Sequence, residues 1–217
     1  CLILNSIRKI SFNQSDLHNK IWKQTIGSDL TNSTIGIIGC GNVGQDLIKL
    51  LKPFQCKIYV HDIKSYNKFY YKHNLTPTSL NFLLKKSDII SIHTPLNKST
   101  IGLINNNNLK LLKPNSSLIN TARGGILKSH ACLYQGLLSG KLSGVGLDVI
   151  PQEPPVFKDD DDFLSAWIKN DQDFSGRIII NPHTAYYSED SYQEMRIKAA
   201  TSALNALIDN QLTNRII

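Results

Sequence analysis

The chain has 217 residues, which is enough for one large domain or one domain with a small appendage. Its 41% hydrophobic and 19% charged residues are typical of a globular protein and exclude a disordered one. The net charge of +7 comes from scattered lysines, without a dense basic run interleaved with aromatic residues, which argues against nucleic acid as a partner. We expect this positive excess to attract anionic cofactors and acidic substrates instead.

Cysteine usage and hydropathy indicate a cytoplasmic protein without a membrane partner. The 4 cysteines show neither a CxxC pair nor metal-ligand spacing, so free thiols in a reducing compartment are expected. Cys40 could be a reactive thiol, but it is more simply a tolerated residue. No apolar run approaches the ~18 residues that a membrane span needs. The aspartates at 159–162 predict a solvated loop rather than a metal site, because neighbouring carboxylates do not converge on one ion.

Strands and helices are predicted to alternate along most of the chain. Residues 1–10 have the spacing of an amphipathic helix, and a polar stretch containing Trp22 follows. Strands are predicted at residues 34–38, 57–61, near 75, 88–92, 117–120, 144–149 and 177–180. Helices are predicted at residues 45–51, 78–86, 105–112, 125–138 and 188–209. This alternation predicts an α/β fold with a doubly wound, mostly parallel sheet flanked by helices.

A glycine-rich turn joins the first predicted strand to the helix after it. Gly39 permits a tight turn, Gly41 lets the backbone approach a pyrophosphate, and Gly44 lets the helix pack close to the strand. The N–H groups and positive dipole end of that helix would hold phosphates. Asp62 ends the second strand, about 18 residues after Gly44, near the spacing of a carboxylate that binds a ribose hydroxyl. The pattern predicts a dinucleotide site on a Rossmann sheet.

Three further residues that could carry chemistry follow predicted strands. Arg123 lies on a glycine-containing loop after the fifth strand, where a guanidinium can recognise a carboxylate with two hydrogen bonds. His183 follows the seventh strand and titrates near neutrality, so it can exchange a proton with an alcohol oxygen. Glu153, on a proline-stiffened loop, could stabilise the imidazolium. Each residue taken alone could equally be an ordinary surface or structural side chain.

These motifs resemble the D-isomer-specific 2-hydroxyacid dehydrogenases over nearly all of the chain. The resemblance rests on residues 30–39, on residues 120–125 and 147–154, and on Asn181-Pro182-His183. Residues 183–196 are also similar to the branch containing the C-terminal-binding proteins, which are NAD-dependent corepressors. The resemblance implies an NAD-dependent oxidoreductase acting on a small 2-hydroxy or 2-oxo acid. A dimeric NAD(H)-sensing protein without significant turnover is the alternative, and a nucleoside-type methyltransferase is a distant third.

The resemblance also implies a role for each site residue. The implied catalytic residues are Arg123 for the substrate carboxylate, His183 as acid/base, and Glu153 as its partner. The implied cofactor-binding residues are Gly39, Gly41, Asn42, Val43, Gly44, Asp62, Thr94, Pro95, Thr100, Thr121, Ala122, Arg123, Asp148 and His183. Asp62 would favour NAD over NADP, because a carboxylate repels a 2′-phosphate, although Lys64 lies close by.

The resemblance also leads to expectations about departures from the family pattern, domain bounds and oligomeric state. The N-terminal substrate domain of the family is largely absent, so the sequence reads as a fragment that would bind cofactor without necessarily turning over. Residues 1–200 are expected to form the dinucleotide-binding domain, and residues 201–217 to form a helix end and tail returning to the substrate domain. Residues 156–176 form a longer connection than usual, which could be a lid, an interface element or a plain surface insertion, and we favour the surface insertion. A homodimer is expected from the resemblance.

Overall fold

The computed structural model describes residues 1–157 and 161–208. It divides into two compact units, Cys1–Ile180 and Asn181–Ile217. The described strands all belong to the first unit, and the second contains one long helix. The boundary predicted at residue 200 stays a prediction. Asp159, Asp160 and residues 209–217, which include the predicted end of the last helix, lie outside the described residues.

The described strands form one parallel sheet. They are β1 (Thr34–Ile38), β2 (Lys57–His61), β3 (Thr76–Pro77), β4 (Ile89–Ile92), β5 (Ser116–Asn120), β6 (Leu142–Leu147) and β7 (Ile178–Ile180). Their order is β3-β2-β1-β4-β5-β6-β7, which places β1 beside β4 at the point where the chain changes direction across the sheet. The carboxyl ends of parallel strands meet at one edge, where ligands of such sheets bind. The predicted fold class and all seven predicted strands are confirmed.

Helices flank this sheet or follow it. They are α1 (Leu2–Arg8), α2 (Ile10–His18), α3 (Asn42–Leu51), α4 (Asn67–Lys72), α5 (Leu80–Lys86), α6 (Asn106–Leu109), α7 (His130–Leu138), α8 (Asp162–Ile168) and α9 (Glu189–Ile208). Side chains accept hydrogen bonds from first-turn amides at the N-termini of α5, α6, α7 and α8; these caps are Ser79, Asn105, Ser129 and Asp161. Such caps satisfy amides that have no partner within the helix.

The sheet is buried on both faces, which explains its isoleucine-rich strands. Adjacent residues of β5 alternate between two apolar clusters, with Leu118 in one and Ile119 in the other. The cluster around Leu118 includes side chains of α5, α6, α7 and α8, and the cluster around Ile119 includes side chains of α1, α3 and α4. Apolar packing on both faces therefore holds the sheet in place. The candidate site lies at the C-terminal edge of this sheet.

The interpretation of residues 156–176 as a surface insertion is wrong for the part that the structure describes. Phe163 of α8 is 1% exposed, and Phe174 after the helix is also buried in the cluster around Leu118. Asp161 caps α8 and accepts a hydrogen bond from Nδ1 of His130 at 2.6 Å. The His130 ring stacks on Phe163, with a centroid separation of 5.3 Å. The segment is therefore part of the packed fold.

Several helices also differ from the sequence-based expectations. The helix predicted at residues 105–112 is confined to Asn106–Leu109, and the one predicted at residues 125–138 begins at His130. The predicted helix at residues 1–10 is broken at Lys9, whose φ of 56° is left-handed, and a second helix continues to His18. Helix α4 was not predicted, because Asn67–Lys72 is short and polar apart from its aromatic residues. Within residues 1–157 and 161–208, no helix combines the length and apolar character of a membrane span. In that same part of the chain, no cluster of histidine, cysteine or carboxylate side chains suits a metal ion.

Candidate functional site

The glycine turn between β1 and α3 has a separate steric reason for each of its glycines. Gly39 has a φ of 97°, a conformation that other residues rarely adopt. A Cβ on Gly44 would lie 2.1 Å from the carbonyl oxygen of Gly39, so the helix could not pack this closely with any other residue there. A Cβ on Gly41 would meet nothing within 4 Å. The open space at Gly41 fits the close approach of a ligand.

The N-terminus of α3 lacks the side-chain cap found on α5, α6, α7 and α8. Its first residues, Asn42 and Val43, are exposed, with Val43 at 63%. First-turn amides have no carbonyl partner within a helix, and the helix dipole adds a partial positive charge. The geometry of the turn and the uncapped helix therefore fit the pyrophosphate of a dinucleotide.

Asp62 follows β2 and is fixed by the backbone on both sides. One carboxylate oxygen accepts a hydrogen bond from Cys40 N–H at 2.6 Å, and the other accepts one from Lys64 N–H at 2.7 Å. Each oxygen keeps a further lone pair for a hydroxyl group. The carboxylate is thus tied directly to the glycine turn. Sequence reasoning missed this contact because it joins residues that are 22 positions apart.

Cys40 has the properties of a buried structural thiol. Its side chain is fully buried, and burial together with the charge of Asp62 raises the pKa of the thiol to about 11. A thiol with so high a pKa carries almost no thiolate at neutral pH, and the thiolate is the reactive form. The interpretation of Cys40 as a tolerated residue is therefore favoured over a reactive one.

The loop after β4 holds two buried polar atoms without hydrogen-bond partners in the described part of the chain. These atoms are Nδ1 of His93 and Oγ1 of Thr94. Burial lowers the pKa of His93 to about 4, so its imidazole is neutral at physiological pH. The backbone of His93 is close to the turn, since a Cβ on Gly39 would lie 2.7 Å from it. Of the six orphaned side-chain atoms in the described residues, these two belong to the loop whose backbone lies beside the glycine turn, where a ligand would be able to bond them.

Pro95 and Thr100 belong to the same loop, where their polar groups bond to each other. The hydroxyl of Thr100 donates to the Pro95 carbonyl at 2.6 Å and accepts from Asn97 N–H at 2.8 Å. These hydrogen bonds close the turn at residues 95–100. The structure therefore gives Thr100 a role in shaping the loop next to the glycine turn.

Arg123 lies on the loop after β5 and is exposed, whereas Thr121 and Ala122 before it are half-buried. Its guanidinium donates to the carbonyl oxygen of Ala122 at 2.6 Å, which leaves other N–H donors of the group available. Because β5 is two strands from β1 in the sheet, Arg123 lies on the same edge as the glycine turn.

Asp148 and Glu153 follow β6 at this edge. Asp148 is 1% exposed, and its backbone N–H donates to the carbonyl oxygen of Asn120 at 2.9 Å. Glu153 is exposed, and its carboxylate accepts a hydrogen bond from Ile150 N–H at 3.0 Å. The chain after β6 therefore folds back on itself through the Glu153 side chain.

His183 belongs to the second unit. Its φ of 54° is left-handed, and its N–H donates to the carbonyl oxygen of Asn181 at 3.0 Å. The ring packs edge-on against Tyr186, with 5.8 Å between centroids. Histidine adopts this conformation more often than most residues, and six other described residues besides glycine share it.

The structure brings most of the candidate residues to one edge of the sheet. The glycine turn, Asp62, the loop from Thr94 to Thr100, the loop from Thr121 to Arg123, and the segment from Asp148 to Glu153 follow β1, β2, β4, β5 and β6 respectively. His183 follows β7 in the chain, within the second unit. The arrangement in the first unit fits a dinucleotide site, with Arg123 on the same edge of the sheet.

Comparison with known proteins identifies the family. The model of the D-isomer specific 2-hydroxyacid dehydrogenase, NAD binding domain, matches residues 1–185. A D-specific alpha-keto acid dehydrogenase of Enterococcus faecalis is 34% identical over 186 residues, with 82% of this chain and 54% of that protein covered. A glyoxylate reductase of Thermofilum pendens is 35% identical over 187 residues, with coverage of 83% and 50%. The chain thus spans about half the length of these curated relatives.

A solved structure supports the same assignment. The NAD-complexed D-isomer specific 2-hydroxyacid dehydrogenase of Lactobacillus delbrueckii ssp. bulgaricus has a TM-score of 0.81 and 27% identity, covering 95% of this chain and 63% of that one. These relatives are named as dehydrogenases and reductases, so the comparisons do not favour the sensing alternative. The chain belongs to the D-isomer-specific 2-hydroxyacid dehydrogenase family, of which it represents the NAD-binding domain.

Proposed function

We propose that the protein is an NAD-dependent oxidoreductase that interconverts a small D-2-hydroxy acid and the corresponding 2-oxo acid. The observation that carries this proposal is the exposed Arg123 on the same sheet edge as the glycine turn, where a carboxylate-binding cation would lie beside the cofactor. The two curated relatives are named for reactions of 2-oxo acids, which supports the same substrate class.

The cofactor would be held mainly by backbone groups and one carboxylate. Gly39, Gly41, Asn42, Val43 and Gly44 would line the pyrophosphate, and Asp62 would bind the adenosine ribose. Thr94, Pro95 and Thr100 would lie along the dinucleotide, and Thr121, Ala122 and Asp148 would approach the nicotinamide. Bound NAD(H) supplies or accepts the hydride.

The substrate would be held and protonated by three side chains. Arg123 would bind the carboxylate and offset the negative charge that develops on the C2 oxygen. His183 would donate a proton to that oxygen during reduction and accept it during oxidation. Glu153 would orient the imidazole and stabilise its charged form. Together these side chains would supply orientation and charge stabilisation.

The intact protein is expected to oxidise NADH in the presence of at least one small 2-oxo acid. The measurement is the loss of NADH absorbance with pyruvate, glyoxylate and hydroxypyruvate, followed by chiral analysis of the product. A D-2-hydroxy acid product supports the proposal. Tight NADH binding without turnover on any 2-oxo acid would contradict it and favour the sensing alternative.

Asp62→Ala is expected to weaken NADH binding by roughly 10- to 100-fold, the worth of hydrogen bonds to a charged group. NADPH binding should change less, because a carboxylate beside a 2′-phosphate is unfavourable. The measurement is fluorescence titration of both cofactors. Lys64→Ala is the control, since it keeps the backbone N–H that bonds Asp62. Equal losses for both cofactors would refute the ribose role.

We also propose a homodimer in the cytoplasm. Trp22 and Ile26 are 89% and 94% exposed, and an interface between two copies of the chain would cover them. All four cysteines are free thiols in the structure, which suits a reducing compartment.

A further inference from the structure

Asn120 is a buried polar residue that the proposed function does not use. It is the last residue of β5 and is 0% exposed. Its side-chain oxygen accepts a hydrogen bond from Ala122 N–H at 3.0 Å, and its side-chain nitrogen donates to the carbonyl oxygen of Arg123 at 3.0 Å. Both ends of one amide therefore bind the loop that carries Arg123.

Burial of an amide is unfavourable unless its donors and acceptors are paired. Both named partners of the Asn120 carboxamide are backbone groups of the next three residues, so the favourable hydrogen bonds depend on one loop conformation. The guanidinium of Arg123 donates to the carbonyl oxygen of Ala122. Ala122 is thus held through its N–H by Asn120 and through its carbonyl by Arg123. The network links the buried amide to the exposed cation.

The backbone on the other side of Arg123 is fixed by close packing. A Cβ on Gly124 would lie 2.0 Å from the carbonyl group of Ile150, so the two backbone segments are in direct contact. The N–H of Ile150 donates to the carboxylate of Glu153. The loop of Arg123 is therefore held on one side by the two hydrogen bonds of the Asn120 side chain and on the other side by the backbone contact at Gly124.

We propose that Asn120 is a positioning residue that fixes the loop of Arg123 and thereby the direction of its guanidinium. This inference rests on the proposed role of Arg123 in binding the substrate carboxylate. Two-point recognition of a carboxylate requires a fixed orientation of the guanidinium plane. Loss of the two Asn120 hydrogen bonds should therefore weaken substrate recognition more than cofactor binding.

The first test compares Asn120→Ala and Asn120→Asp with Ser116→Ala in the intact protein. Ser116 is a matched control, because it is also fully buried and hydrogen-bonded but lies at the other end of β5. We expect both Asn120 variants to raise the KM for the 2-oxo acid about tenfold, with the Kd for NADH within about twofold of the wild type. Ser116→Ala should lower Tm without changing that KM. An unchanged KM in both Asn120 variants would overturn the proposal.

A double variant separates positioning from general stabilisation. If Asn120 acts through Arg123, Asn120→Ala combined with Arg123→Ala should have the KM of Arg123→Ala alone, because coupled residues are not additive. If the two substitutions instead multiply each other's effects on KM, the proposal is overturned. If Arg123→Ala itself leaves KM unchanged, the proposed function is wrong in its assignment of Arg123, and this outcome is distinct from a failure of Asn120.

A second measurement does not depend on activity or on the folding of Asn120→Ala. Trypsin cleaves after arginine, so the rate of cleavage at Arg123, followed by mass spectrometry, reports the opening of this loop. We expect Asn120→Asp to be cleaved there at least about fivefold faster than Ser116→Ala, because the aspartate keeps the acceptor for Ala122 N–H but loses the donor to the Arg123 carbonyl. Equal rates in Asn120→Asp and the control would overturn the positioning role.

Discussion

His183→Ala is expected to lower kcat for 2-oxo acid reduction by about 100- to 10,000-fold, the usual contribution of a general acid. The Kd for NADH should change less than about twofold, because the glycine turn and Asp62, which would hold the pyrophosphate and the ribose, are unchanged in this variant. The alanine removes the group that would protonate the C2 oxygen and leaves the other contacts in place. Steady-state kinetics and fluorescence titration of the same preparation measure both quantities.

The control for this variant is His18→Ala, which removes an exposed histidine of α2. Its kcat should equal that of the wild type. His183→Gly is a second check, because glycine adopts the left-handed conformation freely and also removes the imidazole. Its kcat should fall as far as that of His183→Ala. Should His183→Ala keep kcat within about threefold of the wild type, the acid/base assignment is wrong.

Gly41→Ala is expected to raise the Kd for NADH by roughly tenfold or more, which corresponds to about 1.4 kcal/mol. The folded protein has open space at this position, so Tm should stay within about 2 °C of the wild type. The added methyl group would occupy space that the phosphates need for close approach to the backbone. Isothermal titration measures the Kd for NADH, and thermal unfolding of the ligand-free protein measures the Tm.

Gly44→Ala is the matched comparison, because the same methyl group would there meet the carbonyl oxygen of Gly39 at 2.1 Å. This variant should lose about 1–3 kcal/mol of unfolding free energy, as overpacked sites do, together with NADH binding. Gly41→Ala thus tests the approach of the ligand to the backbone, and Gly44→Ala tests the packing of α3. Wild-type NADH affinity in Gly41→Ala would mean that the turn does not hold the pyrophosphate.

The sheet could be predicted closely from the sequence because its strands are short, apolar and separated by turn residues. The predicted bounds of β1 and β2 coincide with Thr34–Ile38 and Lys57–His61 in the structure. Burial on both faces leaves an unbroken apolar run, which is a strong local signal. The candidate residues could be found for a related reason, since parallel strands bring their carboxyl ends to one edge.

Features that depend on tertiary contacts could not be predicted. The break at Lys9 is a left-handed residue inside an apolar helical pattern, and nothing in the local sequence requires it. The hydrogen bond from Cys40 to Asp62 and the orphaned atoms of His93 and Thr94 arise only when separate strands meet. Asn120 has no distinctive local signal either, because its role follows from the burial of the strand end.

The packing of α8 has a consequence for how the chain can vary. Helix α7 begins at His130, seven positions after Arg123, and its first residue is bound to Asp161 and stacked on Phe163. A shortened connection between β6 and β7 would therefore uncover an apolar side of α7 and leave the half-buried imidazole of His130 without its carboxylate. Length changes in residues 156–176 should occur together with changes at His130 and in the apolar residues of α7, so this segment and α7 form one unit of sequence change.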